Sequence, residues 1–145
     1  MRTLFLSFLC ALLAMTCWAE TTPAARQSIM LQSTIKQLTQ FSQRVKKTDT
    51  RFYSPTSGIE ACCTLSALEC FRSQLLNIST DNKPLQSKLY KNLGKNSIST
   101  SLDRCTEDKR TNIKCKTCDS YPMTDSQEFL KNLLNLLQKS FIQLP

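Results

Sequence analysis

Residues 61–71 read ACCTLSALECF and residues 115–121 read CKTCDSY, and these two stretches decide how the chain folds. On a helix, Cys63 and Cys70 lie two turns apart on one face, about 10 Å along the axis. The extended C-x-x-C of the second stretch spans a similar length. The spacing therefore predicts two parallel disulfides, Cys63–Cys115 and Cys70–Cys118.

Two further cysteines are left over by this pairing. The sequence leaves open whether Cys62 and Cys105 form a third disulfide or whether one or both stay unbonded. Four thiolates could instead hold zinc, but zinc modules prefer closely spaced ligand pairs on both sides, and six residues separate Cys63 from Cys70. We therefore expect disulfides, no metal and no cofactor.

The N-terminus has the pattern of a secretory signal peptide. Arg2 precedes an almost wholly apolar run, Leu4–Met15, and a small residue, Ala19, follows at a suitable distance for cleavage. A signal anchor is the alternative, but the run is too short to span a bilayer comfortably. We expect a signal peptide over 1–19 and one soluble, secreted, extracellular domain over 20–145, in a compartment where disulfides form.

Composition limits what the domain can do. The chain has 19 Lys and Arg against 11 Asp and Glu, a formal charge of +8, and it has no histidine. Removing Arg2 with the signal peptide leaves 18 against 11, or +7. Such a charge suits acidic receptor faces, heparan sulfate or anionic membranes, or simply aids solubility. The lack of histidine excludes Ser-His-Asp and Cys-His catalysis, so we expect no enzyme.

Four segments have helical periodicity, and none shows convincing strand alternation. The predicted helices cover Arg26–Lys47, Thr64–Ile78, Lys83–Leu93, and Thr124 or Asp125 to Gln143. Long first and third connections are what an up-up-down-down bundle requires, although residues 48–60 are few for a crossing unless the first helix ends early. Residues 95–121 are expected to be a polar connection pinned by cysteines. The predicted fold is all-α: a short-chain, disulfide-stapled, up-up-down-down four-helix bundle.

Two surface features follow from the same pattern. The last predicted helix carries two adjacent apolar stripes, which is wider than one buried face requires, so its outer edge is a candidate contact surface. Asn77-Ile-Ser79 is an N-glycosylation sequon, which predicts an exposed Asn77 at the end of the second helix.

The cysteine pattern and its surroundings resemble a known family, the interleukin-2/15/21 group of short-chain four-helix cytokines. The matching elements are Cys63, Cys70-Phe71, Cys115–Tyr121 and Glu128-Phe-Leu130. Within the group, Cys118-Asp-Ser-Tyr121 and Leu136-Leu-Gln-Lys139 are similar to the interleukin-21 branch. The resemblance is strong from Cys115 to Gln143, weak over the first helix and nearly absent between residues 83 and 110. The family's disulfide pairing agrees with the one that the spacing predicts.

The resemblance implies a signalling function without catalysis. Such cytokines bind a private receptor chain, here one like the interleukin-21 receptor, and the common gamma chain. The receptors bring Janus kinases together, and STAT proteins carry the signal in lymphocytes. The resemblance also implies a monomer. We expect no nucleic acid partner and no membrane insertion.

The resemblance assigns candidate contact residues on three helices. In the last helix, the common gamma chain is expected to contact Gln138, Lys139 and Phe141. Phe141 replaces an aliphatic residue of the family pattern, and its alternative role is a core position. The private receptor chain is expected to contact Gln27, Met30 and Gln37 on the first helix and Lys88 and Lys91 on the third.

Three other interpretations stay open at this point. An interleukin-15-like cytokine would bind a different private chain, and the Asp-Ser-Tyr after Cys118 argues against it. A cationic, membrane-active host-defence protein fits the charge but not the long polar connection. The adjacent Cys62 and Cys63 suggest a chemokine, but chemokines carry such a pair near the mature N-terminus, whereas a long helix-like segment precedes it here.

Overall fold

Six α-helices make up most of the residues that the computed structural model describes, which are 22–56, 58–110 and 112–144. They are α1 (Pro23–Ser42), α2 (Thr64–Leu75), α3 (Lys83–Leu93), α4 (Asn96–Leu102), α5 (Glu107–Arg110) and α6 (Ser126–Ile142). Short 3-10 helices cover Ala61–Cys63 and Cys118–Ser120, and the two strands are β1 (Phe52–Tyr53) and β2 (Met123–Thr124). The predicted signal peptide lies outside the described residues. Within those residues, no helix is both long enough and apolar enough to cross a membrane.

Polar side chains fix where three of the helices begin. The side chains of Thr22, Asn82 and Asp125 each accept a hydrogen bond from the backbone N–H three residues later, at 3.2, 3.2 and 2.8 Å. Each bond gives a partner to one of the amides that a helix leaves unpaired in its first turn. The third bond, from the amide of Glu128 to Asp125, has the spacing of a capping box.

The predicted helix bounds are right for one helix and inexact for the others. Helix α3 has the predicted bounds, 83–93. Helix α1 begins and ends earlier than predicted, at Pro23 and Ser42, and α2 ends at Leu75 rather than Ile78. The early end of α1 lengthens the first connection to residues 43–60, which removes the objection to a crossing there.

Residues 95–121, expected to be a polar connection, contain regular structure that the sequence did not predict. Helices α4 and α5 and the second 3-10 helix lie within it. Ile98 and Leu102 are fully buried in the core and are spaced one helical turn apart. Their burial stabilises α4 although the surrounding Ser, Thr and Asn residues have low helix propensity. Two apolar residues in so polar a segment gave too weak a periodic signal.

The core draws on every long helix and on β1. The ring of Phe129 lies 5.2 Å, between centroids, from the rings of both Phe52 and Phe71, so it joins α6 to β1 and α2. Around these rings lie aliphatic and aromatic side chains that are almost fully buried. They include Leu31, Leu38, Phe41, Leu75, Leu89, Leu93, Ile98, Leu102, Leu130, Leu133 and Leu137.

The connections give the bundle its up-up-down-down topology. Residues 43–60 and 103–125 form long connections, and residues 76–82 form a short one. The two long connections meet where β1 pairs with β2 in antiparallel register, Phe52 opposite Thr124 and Tyr53 opposite Met123. In the first turn of α6, the Gln127 side chain donates to the Ser42 carbonyl at 3.4 Å, so the start of α6 lies beside the end of α1. Strands of two residues are too short to show alternation in the sequence.

Candidate functional site

Three disulfides fasten the connection before α6 to the start of α2. They are Cys63–Cys115, Cys70–Cys118 and Cys62–Cys105, with Cα–Cα distances of 5.4, 5.3 and 4.3 Å. The two bonds that the spacing predicts are present, and the pair that the sequence left open is bonded as well. The same sulfurs are therefore not available as thiolate ligands for zinc. The bonds hold α2 and the approach to α6 in a fixed relation, which positions the surface of α6.

A small polar cluster shapes the chain beside the third disulfide. The backbone N–H of Cys105 donates to Asp103 at 3.1 Å, and a guanidinium nitrogen of Arg110 donates to the other carboxylate oxygen at 3.1 Å. These bonds, the backbone one first, hold the pKa of the Asp103 carboxyl below its ordinary value. The carboxylate thus stays ionised and keeps the turn closed.

The three residues expected at the common gamma chain lie in the last two turns of α6 and differ in how exposed they are. Gln138 and Lys139 are exposed. Phe141 is half-buried and packs against the core, as its alternative role requires. The neighbouring Ile142, which was not among the predicted contact residues, is 80% exposed. The available signal was that Ile142 falls outside both apolar stripes of this helix.

A second exposed isoleucine lies toward the same end of the α1–α6 pair. Ile29, in the first half of α1, is 62% exposed. Because α1 and α6 run antiparallel, Ile29 and Ile142 both lie near the N-terminal end of α1 and the C-terminal end of α6.

The residues of α1 that are expected at the private receptor chain are only partly exposed to solvent. Gln27, Met30 and Gln37 are all half-buried in α1, and Met30 packs against the core. The Gln37 side-chain oxygen accepts a hydrogen bond of 2.6 Å from the amide of Asn92, so Gln37 also links α1 to α3. No pattern in the sequence predicts this internal bond.

The two lysines of α3 are well placed for a charged contact. Lys88 and Lys91 are exposed. The ion pairs found among the described residues are Lys46–Asp81 and Asp103–Arg110, so neither α3 lysine has an ion-pair partner there. Their charges are therefore presented to solvent.

The sequon at Asn77 lies on the surface. Asn77 and Ser79 are exposed just after α2, while Ile78 between them is buried in the core. The sequon is thus accessible where the sequence predicts it, and glycosylation at Asn77 stays a prediction.

The fold agrees with a comparison against protein families. Residues 4–143 match the family model described as Interleukin 15. The chain therefore belongs to this family, within the interleukin-2/15/21 cytokines. Members of the family are signalling ligands that bind cytokine receptor chains, so the protein is not an enzyme, and the family implies secretion. A comparison with curated proteins found no match.

Proposed function

We propose that the protein is an interleukin-21-like cytokine, which binds a private receptor chain and the common gamma chain in the extracellular space and activates Janus kinase and STAT signalling in lymphocytes. The observation that carries the proposal is how α6 presents the segment Leu136-Leu-Gln-Lys139. Leu136 and Leu137 are buried, whereas Gln138 and Lys139 face solvent. The segment that resembles the interleukin-21 branch thus combines a core anchor with an accessible polar pair.

Helix α1 allows one small protein to hold two receptor chains. It packs against α6 on one side and against α3 on another. A receptor chain that contacts α1 and α6 and a second receptor chain that contacts α1 and α3 would bind different sides of α1. Their membrane-proximal parts would then be held together, which is the condition for the attached kinases to act on one another.

The two proposed faces differ in their chemistry. On the α1–α6 side, Ile142 supplies apolar area, and burying its side chain is worth about 1.5–3 kcal/mol. On the α1–α3 side, Lys88 and Lys91 supply positive charge, which steers an acidic receptor toward the helix and raises the association rate more than the affinity.

A second candidate is an interleukin-15-like cytokine, and the description of the matching family model favours it. The fold and the α1–α6 face suit both candidates. The distinction lies in the private chain, for which Cys118-Asp-Ser-Tyr121 supports the interleukin-21 branch.

The test is direct binding of the secreted protein to separate immobilised receptor ectodomains: the common gamma chain, the interleukin-21 receptor and the private chains of interleukin-15. STAT phosphorylation in lymphocytes is measured in parallel. We expect binding to the gamma chain and the interleukin-21 receptor, with phosphorylation. Binding to the interleukin-15 chains instead would establish the second candidate, and binding to none, by protein shown to be helical and disulfide-bonded, would refute both.

A further inference from the structure

A groove of about 710 Å³ runs along the side of α6 that faces the loop carrying Pro55 and Ile59. Its apolar wall includes both of these loop residues together with Leu102 and Leu136. The volume lies in the range of about 300–1,000 Å³ that is usual for small-molecule sites. Of the residues proposed to contact the two receptor chains, Lys139 lines this groove, and the rest of its wall is unexplained by those contacts.

Charge is distributed unevenly along the groove. The Arg104 guanidinium donates to the Ser140 carbonyl at 3.1 Å, which places it beside Lys139 at the C-terminal end of α6. Glu128 lies at the other end, about 18 Å away at 1.5 Å per residue, with Lys131 next to it in the lining. One end therefore carries two positive charges, while the other end carries one negative and one positive charge, which largely cancel.

The Arg104 side chain has bonding capacity that the protein does not use. Its Nε is buried and has no hydrogen-bond partner among the described residues. Neither ion pair in that part of the chain includes Arg104. A guanidinium is a planar donor suited to carboxylate and related anions, and a buried donor without an acceptor is unfavourable. The buried Nε is closed to a bound molecule, so an anionic group at this end of the groove would accept from the remaining Nη N–H groups of Arg104.

We propose that the groove binds an amphipathic organic anion, one apolar chain or ring system that ends in a single carboxylate or sulfonate. The apolar part lies against Ile59 and Leu136, and the anionic group lies between Arg104 and Lys139. A polyanion such as a sulfated polysaccharide fits less well, because it would cover apolar side chains with sugar and bring negative charge toward Glu128.

The test uses 8-anilinonaphthalene-1-sulfonate as a fluorescent probe and dodecanoate as a competitor on the folded, disulfide-bonded protein without any receptor. Dodecanoate should displace the probe, and dodecanol, which has the same chain without the charge, should not. Arg104→Gln should weaken dodecanoate binding at least tenfold, since it removes a charge-assisted hydrogen bond. Lys36→Gln, at an exposed lysine of α1, should leave the affinity unchanged.

Several outcomes would overturn the proposal. They are equal displacement by dodecanol, displacement by heparin but not by dodecanoate, absence of probe binding, and a folded Arg104→Gln variant with unchanged affinity. If Arg104→Gln does not fold, Asn135→Trp decides, because Asn135 is exposed and lines the groove. That variant keeps Arg104 but fills the groove, so dodecanoate binding should be lost; retained binding would refute the site. No receptor takes part, so failure of the proposed cytokine function leaves this result independent.

Discussion

The side-chain amide of Gln74 forms two hydrogen bonds of 2.8 Å with the backbone of Tyr53, accepting from its N–H and donating to its carbonyl. The amide thus acts as the partner of a residue in β1, with one more bond of 2.8 Å to the Cys70 carbonyl. It fastens the first long connection to α2, near the place where the second long connection is held by disulfides.

Gln74→Leu should destabilise the fold by about 1–3 kcal/mol, because it leaves the half-buried N–H and carbonyl of Tyr53 without partners. The measurement is urea unfolding followed by circular dichroism. Gln40→Leu is the matched control: its side chain is exposed on α1, and we expect a change of no more than about 0.5 kcal/mol. Equal midpoints for the two variants would show that the bonds to Tyr53 do not hold β1.

Gly94 makes room for the side chain of Arg72. A Cβ at Gly94 would lie 2.7 Å from Nη2 of Arg72. That side chain donates from Nε to the Tyr90 carbonyl at 2.9 Å, and its guanidinium carbon lies 4.0 Å from the centre of the Tyr90 ring. Gly94→Ala should therefore displace Arg72 and destabilise the protein by about 1 kcal/mol.

A double-mutant cycle separates this effect from the intrinsic effect of alanine. Gly94 has a φ of −89°, so alanine is not strained there and should stabilise a chain that lacks the Arg72 contact. In an Arg72→Ala background, Gly94→Ala should thus be neutral or stabilising in thermal unfolding. The same loss in both backgrounds would show that the two residues are not coupled.

The amount by which Cys62–Cys105 stabilises the fold should depend on whether Cys63–Cys115 is present. With all bonds intact, Cys63–Cys115 already joins the two segments, so the third bond closes a loop of only about 12 residues, worth about 3 kcal/mol in the chain-entropy model. Without Cys63–Cys115, the next bond, Cys70–Cys118, still joins the segments, so Cys62–Cys105 closes a loop of about 23 residues and is worth about 3.4 kcal/mol. Denaturant unfolding of paired Cys→Ser variants measures both losses. We expect the loss on removing Cys62–Cys105 to be larger in the background without Cys63–Cys115, and an equal loss would contradict the shared loop.

The parts of the fold that could be predicted from the sequence are those that depend on local residue spacing. The interval between Cys63 and Cys70 places both cysteines on one face of a helical segment. Its length matches the span of an extended C-x-x-C anywhere in the chain, so two disulfides could be predicted from spacing alone. The Cys62–Cys105 bond could not be chosen, because it depends on where residues 103–105 lie once Ile98 and Leu102 are buried. Likewise, a helical stripe groups Phe141 with the core but cannot tell how far the core extends, so the half-burial of Phe141 emerged only from packing.

Charge reversal on α3 should act on the rate of receptor binding. Lys88→Glu with Lys91→Glu should slow association with the private receptor chain about tenfold at low salt, with a smaller effect at physiological ionic strength. The dissociation rate should change little. Surface plasmon resonance at two salt concentrations measures both rates. Lys109→Glu, at an exposed lysine of α5, is the control, and an unchanged association rate for the double variant would remove α3 from the proposed contact.

The end of α6 offers a sharp test of the gamma-chain face. Phe141→Asp would place a charge against the core and lower stability, so loss of binding in that variant would be ambiguous. Ile142 is 80% exposed, so Gln138→Asp with Ile142→Asp should leave the melting temperature unchanged. The pair should weaken gamma-chain binding at least tenfold, because it places charge where apolar contact is expected, and should leave binding to the private chain intact. Unchanged gamma-chain affinity in this stable variant would move the contact away from the end of α6.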